Sequence, residues 1–570
     1  MKFSFLFLSF YLLLGSWQLA VAACNQQTIP INQIQSEADR SPYVGQVVWT
    51  EGIVSALFLT DKSLNGFFIQ TPLSQLDNNA QTSEGLFVYQ PKFSMINGLR
   101  EGDHIQIQAT VKEFKTKTEL VQIKTINLCS RQQAVQRTRI KLPLNAQQRE
   151  SLENMLVKFD TALSIRDLNY LHRYGQLTVA TAADKKIEAD DYADRIFIDD
   201  AQKKRANPFM MSEQAYFRVG DEIAQLEGIL SFDFDAYRVY PIKPIKINKI
   251  NPRPTIKPPG ELLRVASLNV LNLFNGDGQG RGFPTERGAH NKQEYERQLE
   301  KLVSTIIAID ADILGLIELE NDTDENDSAL SQLLDALKKS NMTYLSVDKG
   351  RELFGNDAIR VAIIYQTRKV QLFGQSQTLT KRIFDQYNRQ PQIQFFKYKS
   401  TGESFGVMLN HFKSKNCKNQ SEGSKTISQS QGCWEEVRVQ AAHSIMDWLR
   451  QEPQTKQNFI VMGDLNSYPE EAPIRVLSQS LRNTILEFEP QAYSYNHKGW
   501  RGLLDYMLLT STLHKRTINA GVWHINADEA PVLDYRIQAK SPAHANLFQG
   551  NTAYRSSDHD PVYLDLKLDP

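Results

Sequence analysis

The sequence has no net charge and only four cysteines, and it lacks a long apolar run after its first residues. Lys plus Arg and Asp plus Glu number 65 each, which argues against binding a polyanion through overall charge. A local basic groove is still compatible with this balance. No second apolar run of membrane length is present, so nothing else is expected to anchor the chain. A chain of 570 residues, 41% hydrophobic and 23% charged, predicts a globular protein of roughly three or four domains.

The first residues predict an export signal. One Lys precedes an apolar run from Phe3 to Leu14, and the small residues Ala20 and Ala22 suit cleavage after Ala22, which gives a signal peptide over residues 1–22. We therefore expect a secreted, extracellular protein that passes through a periplasm. The stretch from Val21 to Cys24 is also similar to a bacterial lipoprotein box, and a lipid on Cys24 stays open as an alternative.

The four cysteines form an even set in a chain expected to be exported, which predicts two disulfides. We predict Cys24–Cys129 around the first domain and Cys417–Cys433 across a short Gly-, Ser- and Gln-rich loop. A lipid on Cys24 would leave Cys129 without a partner, which favours free secretion over anchoring.

The N-terminal third is patterned as short strands separated by turn residues. Five strand candidates, GQVVWTEGIVSALFL, GFFIQT, EGLFVYQ, HIQIQATVKEF and ELVQIKTI, predict a small open barrel of the oligonucleotide/oligosaccharide-binding (OB) type over residues 24–130. Residues 131–249 repeat this pattern weakly, since the Arg100–Asp103 turn and its following strand match the Arg218–Asp221 turn. We expect a second OB-like or β-rich domain there.

A Pro-rich linker is predicted over residues 250–260, where INPRPTIKPPG carries four prolines and no periodic pattern. Beyond it, in residues 261–570, apolar strands such as LLRVASLNVLNLF alternate with amphipathic helices such as YERQLEKLVSTIIAI. This alternation predicts a layered α/β enzyme core. All candidate catalytic residues lie after the linker, so we expect the chemistry to reside there and the N-terminal barrels to aid substrate capture.

Polar residues repeatedly stand where an apolar strand of this last region begins or ends. Singly, each has an ordinary structural explanation, and the stretch SSDHDPV near the C-terminus reads as a polar turn. Together they are poorly explained by chance, because ionisable groups beside apolar strands are costly unless they are paired or metal-bound. The positions are Asn269, Glu318, His411, Asp464, Asn466, Asp505, Asp558 and His559.

The motifs SLNVLNLF, DILGLIELEN, GDLNS, LDYML and SSDHDPV resemble the signature set of the endonuclease/exonuclease/phosphatase superfamily, which has the deoxyribonuclease I-like fold. The stretches FPTERGA, IELEND, NHFKSK, CWEEVRVQAA and WHINADEAPVLDY are similar to bacterial extracellular endonucleases that join this domain to an N-terminal OB-like region. The resemblance implies a four-layer sandwich, two packed β-sheets flanked by helices, with the active site at one edge. It is specific in residues 260–570 and much weaker over residues 131–250.

The resemblance also implies a role for each residue. Glu318 would be the acidic metal ligand, assisted by Asn269 and with Asp558 nearby. Asp464 and Asn466 would hold the scissile phosphate and the metal or attacking water, and His559 would be the general base, oriented by Asp505. His411 would contact the phosphate and the leaving oxygen, with Asp357 as its possible carboxylate partner. The implied cofactor is a divalent cation, Mg²⁺ before Mn²⁺ or Ca²⁺.

The function this predicts is a secreted, metal-dependent endonuclease that cuts DNA with little sequence preference, since the sequence shows no groove-reading helix. RNA as a substrate, strand preference and the biological role, nutrient scavenging or remodelling of extracellular DNA, stay open. An inositol-phosphate phosphatase is disfavoured because LLDYML lacks the Cys-Asp-Arg element. A secreted sphingomyelinase-type phospholipase C and a catalytically silent DNA-binding surface protein are the alternatives. DNA is the expected partner, with no membrane insertion and no protein partner inferred.

Overall fold

The structure, a computed structural model, describes residues 24–91, 98–181, 192–202, 217–322, 327–347, 354–417, 431–452, 458–538 and 540–568. The predicted signal peptide therefore lies outside the described residues. The described chain forms two compact units. The first holds residues 24–164, 174–202 and 222–248, and the second holds residues 165–173, 217–221 and 249–568.

The N-terminal unit is mostly β. Its strands are β1 (Val47–Phe58), β2 (Gly66–Gln70), β3 (Gly85–Tyr89), β4 (His104–Phe114), β5 (Lys117–Ser130), β6 (Thr138–Ile140), β7 (Met155–Phe159), β8 (Leu163–Asp167, continuing into the second unit), β9 (Gln176–Ala180), β10 (Arg195–Asp199), β11 (Glu222–Gln225), β12 (Glu227–Asp233), β13 (Ala236–Pro241) and β14 (Lys246–Asn248). Its short helices are α1 (Ile31–Gln35), α2 (Ala146–Glu150) and α3 (Leu171–Tyr174, shared with the second unit).

Strands β1 to β5 form a closed barrel in the order β1-β2-β3-β5-β4. Alternate residues of β4, from Ile105 to Val111, point into the barrel core, as the period of two in a strand requires. Helix α1 contributes Ile31 and Ile34 to the same core. The barrel is closed where the strand pattern predicted an open one, and its OB type stays a prediction. The disulfide Cys24–Cys129 is present in this region.

Strands β6 to β14 form a nine-stranded sheet rather than a second closed barrel, in the order β14-β11-β8-β9-β10-β13-β12-β7-β6. The sheet and the barrel share a small apolar cluster, in which Phe68 and Phe87 of the barrel pack with Tyr240 of the sheet. The two β regions of this unit are therefore packed together through aromatic side chains.

The C-terminal unit alternates strands and helices, as its sequence predicts. Its strands are β15 (Leu263–Leu273), β16 (Ile313–Glu320), β17 (Leu345–Ser346), β18 (Ile359–Tyr365), β19 (Val370–Thr378), β20 (Gln392–Tyr398), β21 (Ser404–His411), β22 (Phe459–Asp464), β23 (Arg482–Asn483), β24 (Tyr495–His497), β25 (Trp500–Gly502), β26 (Asp505–Leu509), β27 (Thr517–Val522) and β28 (Val562–Leu566). Its helices are α4 (Lys292–Ile309), α5 (Ala329–Lys339), α6 (Arg382–Gln386), α7 (Glu435–Gln451), α8 (Ala472–Leu477), α9 (Thr484–Phe488), α10 (Ser511–His514) and α11 (Pro542–Ala545).

Two six-stranded sheets pack face to face in this unit, in the orders β17-β18-β16-β15-β28-β27 and β19-β20-β21-β22-β26-β23. Alternate residues of β16 serve two cores: Ile313 and Ile317 face the other sheet, whereas Leu314 and Leu316 pack under α4 and α5. Between them, a Cβ on Gly315 would lie 2.5 Å from the Leu409 side chain, so a larger residue there would require side chains of the facing sheet to shift. Helix α7 covers the second sheet, which makes four layers.

Two segments that precede the Pro-rich linker in sequence belong to the C-terminal compact unit. Residues 165–173 and 217–221, which lie before that linker in sequence, belong to the C-terminal unit. Arg218 is buried there, with its Nε 2.8 Å from Glu529 and its Nη2 donating to the His524 carbonyl at 2.6 Å. Since a buried carboxylate needs a charged partner, this early segment is part of the fold of the C-terminal unit.

No helix among the described residues has the length and apolar character needed to cross a membrane. The second predicted disulfide, Cys417–Cys433, is also present, and within the described residues no cysteine is free.

Candidate active site

Three polar side chains predicted as site residues lie side by side across the second sheet. His411 ends β21, Asp464 ends the parallel strand β22, and Asp505 begins the antiparallel strand β26. In the strand register His411 pairs with Asp464, and Asp464 pairs with Asp505. One edge of the sheet therefore carries an imidazole and two carboxylates on adjacent strands, all of them buried.

His559 completes this row from the turn that precedes the last strand. Its Nδ1 lies 2.8 Å from Asp505 Oδ2, and its Nε2 lies 3.9 Å from Asp464 Oδ2. Tyr495 packs against the imidazole, with ring centroids 4.6 Å apart. The side-chain ligand atoms of Asp464, Asp505 and His559 all lie within 4.8 Å of one another. The hydrogen bond to Asp505 fixes which nitrogen of His559 faces the open side of the site.

The turn that carries His559 is held by Asp560, whose carboxylate is almost fully buried. Its Oδ1 accepts hydrogen bonds from the backbone N–H groups of Ile525, Asn526 and Ala527 at 2.9, 2.6 and 3.0 Å. Its Oδ2 lies 2.9 Å from His524 Nδ1. Asp560 therefore joins the SSDHDPV turn to the WHINADE segment and serves to shape the site.

Asn526 and Ser494 position the same turn from two further sides. The Asn526 amide donates to the His559 carbonyl at 2.6 Å and accepts from the Ser557 N–H at 3.2 Å. The Ser494 hydroxyl accepts from the Asp505 N–H at 3.1 Å, while the Ser494 carbonyl accepts from the Asp560 N–H at 2.7 Å. His559 and Asp505 are thus held by separate contacts to the same small frame.

Glu318 lies on the first sheet, where parallel strands β15 and β16 both deviate from regular register. Its backbone φ is +65°, a left-handed conformation that costs energy for a non-glycine residue and clusters at functional sites. Its Oε2 accepts from Asn272 at 2.7 Å, and its Oε1 lies 4.0 Å from His411 Nε2. Asn269, buried on β15, uses its Oδ1 to accept from the Leu271 N–H at 2.9 Å.

Asn466 stands directly after β22 and is also left-handed, with φ +46°. Its N–H donates to Asp464 Oδ1 at 2.9 Å, and its side-chain amide donates to the Phe412 carbonyl at 3.1 Å. The GDLNS turn therefore binds one oxygen of Asp464 and leaves the other, Oδ2, between the two histidines. Asp558 is half-buried, and Ser557 donates to its Oδ1 at 3.4 Å.

Arg389 stands between His411 and Asp357, the residue predicted as the carboxylate partner of His411. Arg389 Nη1 donates to His411 Nε2 at 3.3 Å, and Arg389 Nε lies 3.2 Å from Asp357 Oδ2. Arg287 also pairs with Asp357, at 3.0 Å. No direct His411–Asp357 hydrogen bond exists in the described chain, so the link predicted from sequence runs through a guanidinium that sequence reasoning did not find.

The charges of the site shift its pKa values in opposite directions. Burial and the nearby Asp558 carboxylate raise the pKa of Glu318, and burial raises the pKa of Asp464 to about 7. Burial lowers the pKa of His559, but Asp505 and Asp464 outweigh it and raise that pKa well above the ordinary value. Burial and the Arg389 charge hold the pKa of His411 well below its usual range. The site therefore pairs one strongly basic imidazole with one that stays neutral.

The residues present fit a bound divalent cation. Glu318, Asp464, Asp505 and Asp558 concentrate negative charge; burial, and to a smaller extent the neighbouring carboxylates Asp558 and Asp505, raise the pKa values of Glu318 and Asp464. Glu318 remains 18% exposed. Hard cations prefer such oxygen ligands. The cluster of Asp464, Asp505 and His559 also has ligand spacing, but Asp505 already holds the His559 Nδ1, which suits it better to proton transfer.

Sequence reasoning missed the residues that hold the site in place, among them Asn272, Arg389, Ser494, Tyr495 and Asn526. Arg389 and Ser494 lie in irregular segments with no periodic pattern around them. Asn526 lies in the motif WHINADEAPVLDY, which could have suggested a role for it. Its contact with the distant His559 turn could not be predicted from residue spacing.

The pattern of the "Endonuclease/Exonuclease/phosphatase family" matches residues 266–559, just over half of the chain. The chain belongs to this family. The endonuclease/exonuclease/phosphatase family comprises hydrolases that act on phosphoester bonds. A second pattern, a domain of unknown function, matches residues 147–250 in the β-rich region before the linker. No curated protein matches this sequence.

Solved structures of the endonuclease/exonuclease/phosphatase type align with about half of the chain. The human Nocturnin catalytic domain with bound sulfate is 17% identical, with 54% of this chain and 94% of that chain covered and a TM-score of 0.33. The Bacteroides thetaiotaomicron mannosyl-6-phosphatase is 17% identical, with 54% of this chain and 100% of that chain covered and a TM-score of 0.33. The D. rerio TDP2 complex with a single-strand DNA product is 14% identical, with 54% of this chain and 99% of that chain covered and a TM-score of 0.32.

Proposed function

We propose that this protein is a secreted, divalent-metal-dependent endonuclease that hydrolyses the phosphodiester bonds of DNA with little sequence preference. The observation that carries the proposal is the position of the His559 imidazole, 2.8 Å from Asp505 and 3.9 Å from Asp464, beside the partly exposed Glu318. A base and a group of anionic oxygen ligands at one edge suit hydrolysis of an anionic ester.

His559 is assigned as the general base that takes a proton from the attacking water at Nε2. Its Nδ1 is bonded to Asp505, so the neutral ring carries its proton there and leaves the Nε2 lone pair free. The nearby carboxylates raise its pKa and favour the charged ring, and a divalent cation bound to those carboxylates would offset their charge and restore the neutral ring that can take a proton. Asp464, with Oδ2 near both histidines, lies where it can orient the water or the phosphate.

Glu318 and Asp558, with Asn269 beside Glu318, are assigned to hold the divalent cation, for which Mg²⁺ is proposed. The cation would neutralise the non-bridging phosphate oxygens and the charge that grows in the transition state. Asn466 is assigned to the phosphate, since its turn borders Asp464.

His411 is assigned to polarise the phosphate or the leaving oxygen rather than to donate a full proton. Burial and Arg389 keep it neutral, and Arg389 donates to its Nε2, so its single proton resides on Nδ1. The His411 Nδ1 is buried with no hydrogen-bond partner in the described chain.

The preference for a nucleic acid rests on the N-terminal unit, whose five-stranded barrel we propose to be OB-like and to bind a strand by aromatic stacking and basic side chains. Secretion rests on the N-terminal export pattern and the two disulfides. Such an enzyme could serve either nutrient scavenging or the remodelling of extracellular DNA.

The test is digestion by the purified mature protein of supercoiled, linear and single-stranded DNA, RNA and sphingomyelin vesicles, each with chelator and with added Mg²⁺. We expect Mg²⁺-dependent cleavage of DNA at many sites. Robust sphingomyelin hydrolysis without DNA cleavage would favour a phospholipase C, and DNA binding without cleavage of any substrate would favour a silent binding protein.

A further inference from the structure

A second feature borders the active site and is not used by the chemistry above. A cavity of about 460 Å³ is lined by Tyr387, Asn388, Lys413, Arg287, Asn356 and Asp357 among others. It meets the active site through Arg389, which contacts Asp357 on one side and donates to His411 Nε2 on the other. The cavity therefore begins one guanidinium away from a residue assigned to the phosphate.

Tyr387 is the aromatic wall of this cavity. It is half-buried, and Trp434 supports it from outside the lining, with ring centroids 6.2 Å apart at 40°. The Lys413 ammonium lies 5.3 Å from the centre of the Trp434 ring. An aromatic ring beside a cation is the combination that binds a base and its phosphate in single-strand recognition.

Hydrogen bonds fix the position of this wall relative to its neighbours. The Asn388 side chain accepts from the Lys413 N–H at 2.8 Å, so the residue after Tyr387 is tied to the end of the His411 strand. The fully buried Arg438 donates to the carbonyls of Lys413 and Cys433 at 3.2 and 2.7 Å. The disulfide to Cys417 holds Cys433, the residue before Trp434.

The charges inside the cavity suit a base better than a bare phosphate. Arg287 and Lys413 line it together with the carboxylates of Glu286, Asp357 and Asp385. Asp357 is already paired with Arg287 and Arg389. A mixed lining of donors and acceptors around one ring can hydrogen-bond the edge of a nucleobase, whereas a phosphate would meet three carboxylates.

We propose that this cavity is a nucleobase subsite, in which the base next to the scissile phosphate leaves its stack and packs on Tyr387. The inference rests on the proposed nuclease function and deepens it. Because a paired base must open to enter, the enzyme cuts single-stranded or locally opened DNA faster than intact duplex. Lys413 holds the backbone between the base and His411.

The test compares Tyr387→Ala with Tyr387→Phe in the full-length protein on three substrates: a single strand, the matching duplex and a strand of abasic deoxyribose phosphates. Tyr387→Ala lowers kcat/KM on the base-containing single strand by about 10-fold or more, chiefly through KM, and Tyr387→Phe retains it. Both variants cleave the abasic strand like the parent, because that substrate reports only on the phosphate chemistry. The ratio of kcat/KM on the single strand to kcat/KM on the duplex is lower in Tyr387→Ala than in the parent.

A matched control is Phe488→Ala, an aromatic ring of the same unit that is 42% exposed on α9 and lies outside the cavity lining. Unchanged cleavage of the base-containing strand by Tyr387→Ala, or an equal loss on the abasic strand, overturns the subsite. If Tyr387→Ala does not fold, Tyr387→Leu gives the same comparison with the apolar volume kept. A parent protein that cleaves neither DNA strand removes the proposed function, and the subsite with it.

Discussion

Asp505 Oδ2 lies 2.8 Å from His559 Nδ1, and it is itself held at the start of β26, where its N–H donates to Ser494. If this pair supplies the base, His559→Ala should lower the single-turnover rate by about 10²-fold or more while DNA affinity stays near the parent value. Asp505→Asn should show a smaller loss of the same kind, because the imidazole remains but its tautomer is no longer fixed. Rapid-mixing cleavage assays measure both.

The control for this pair is His443→Ala, since His443 is exposed on α7. It should cleave at the parent rate. Parent-level cleavage by His559→Ala, in a variant that unfolds like the parent, would contradict the role of the base.

Glu318→Gln should differ from His559→Ala in its response to metal. The change removes an anionic oxygen ligand but keeps the shape of the side chain, so part of the activity should return as the Mg²⁺ concentration rises. The measurement is the cleavage rate against Mg²⁺ concentration, with Glu296→Gln, 59% exposed on α4, as the matched control. Rescue of His559→Ala but not of Glu318→Gln would reverse the two assignments.

His524 should make the stability of the protein depend on pH above neutrality. Burial lowers its pKa, but hydrogen bonds to Asp560 and Glu489 outweigh burial and raise the pKa to about 9 from 6.5. The charged ring therefore stabilises the fold fully below about pH 6.5, and this contribution, about 3 kcal/mol, disappears as the pH rises through 9. Urea unfolding of the parent and His524→Gln should give a stability difference that shrinks between pH 6.5 and pH 9. A difference independent of pH would refute this.

Asp560→Ala should unfold the protein more readily although Asp560 is given no part in the chemistry. The change leaves the N–H groups of Asn526 and Ala527 and the His524 Nδ1 without their acceptor, and each buried orphan donor costs about 1–3 kcal/mol. We expect a loss of at least about 3 kcal/mol in urea unfolding. Asp385→Ala, a partly exposed aspartate of the same unit, should change stability by less than about 1 kcal/mol.

The sequence could predict that the site residues would lie close together, because they stand at the ends of apolar strands and the ends of neighbouring strands meet at one edge of a sheet. His411, Asp464 and Asp505 each mark the boundary of an apolar run, and the strand register brings them side by side. What it could not predict is contact between segments with no periodicity. Arg389 reaches His411 from a loop, and Asn526 reaches the His559 turn over 33 residues, and neither link leaves a pattern in spacing.

The fold was predictable to a similar extent. The alternation of strands and helices after the linker predicted the layers, and period-two strands predicted the first barrel region. The assignment of residues 165–173 and 217–221 to the C-terminal unit could not be predicted, because it depends on buried ion pairs between distant charges. The sequence shows Arg218 only as one residue of a turn.

Arg218→Ala should therefore destabilise the C-terminal unit although the residue precedes the linker. It leaves Glu529 and Asp528 buried with fewer cationic partners, for which a loss of about 3–5 kcal/mol is expected. A fragment beginning at residue 260 lacks Arg218 and also Asn251 and Arg253, which contact the same carboxylates. It should not reach parent stability in thermal unfolding. Arg139→Ala, 75% exposed, is the control.

The interleaving of the chain also bears on how such a protein can be rearranged over generations. A crossover between genes at the proline-rich segment would pass on the strands, the two histidines and the acidic residues, yet leave behind Arg218, one of the two arginines that pair with Glu529. The recipient would inherit the residues assigned to the reaction without a charge their scaffold requires. The residues that fold as the C-terminal unit therefore begin upstream of the linker, at residue 165.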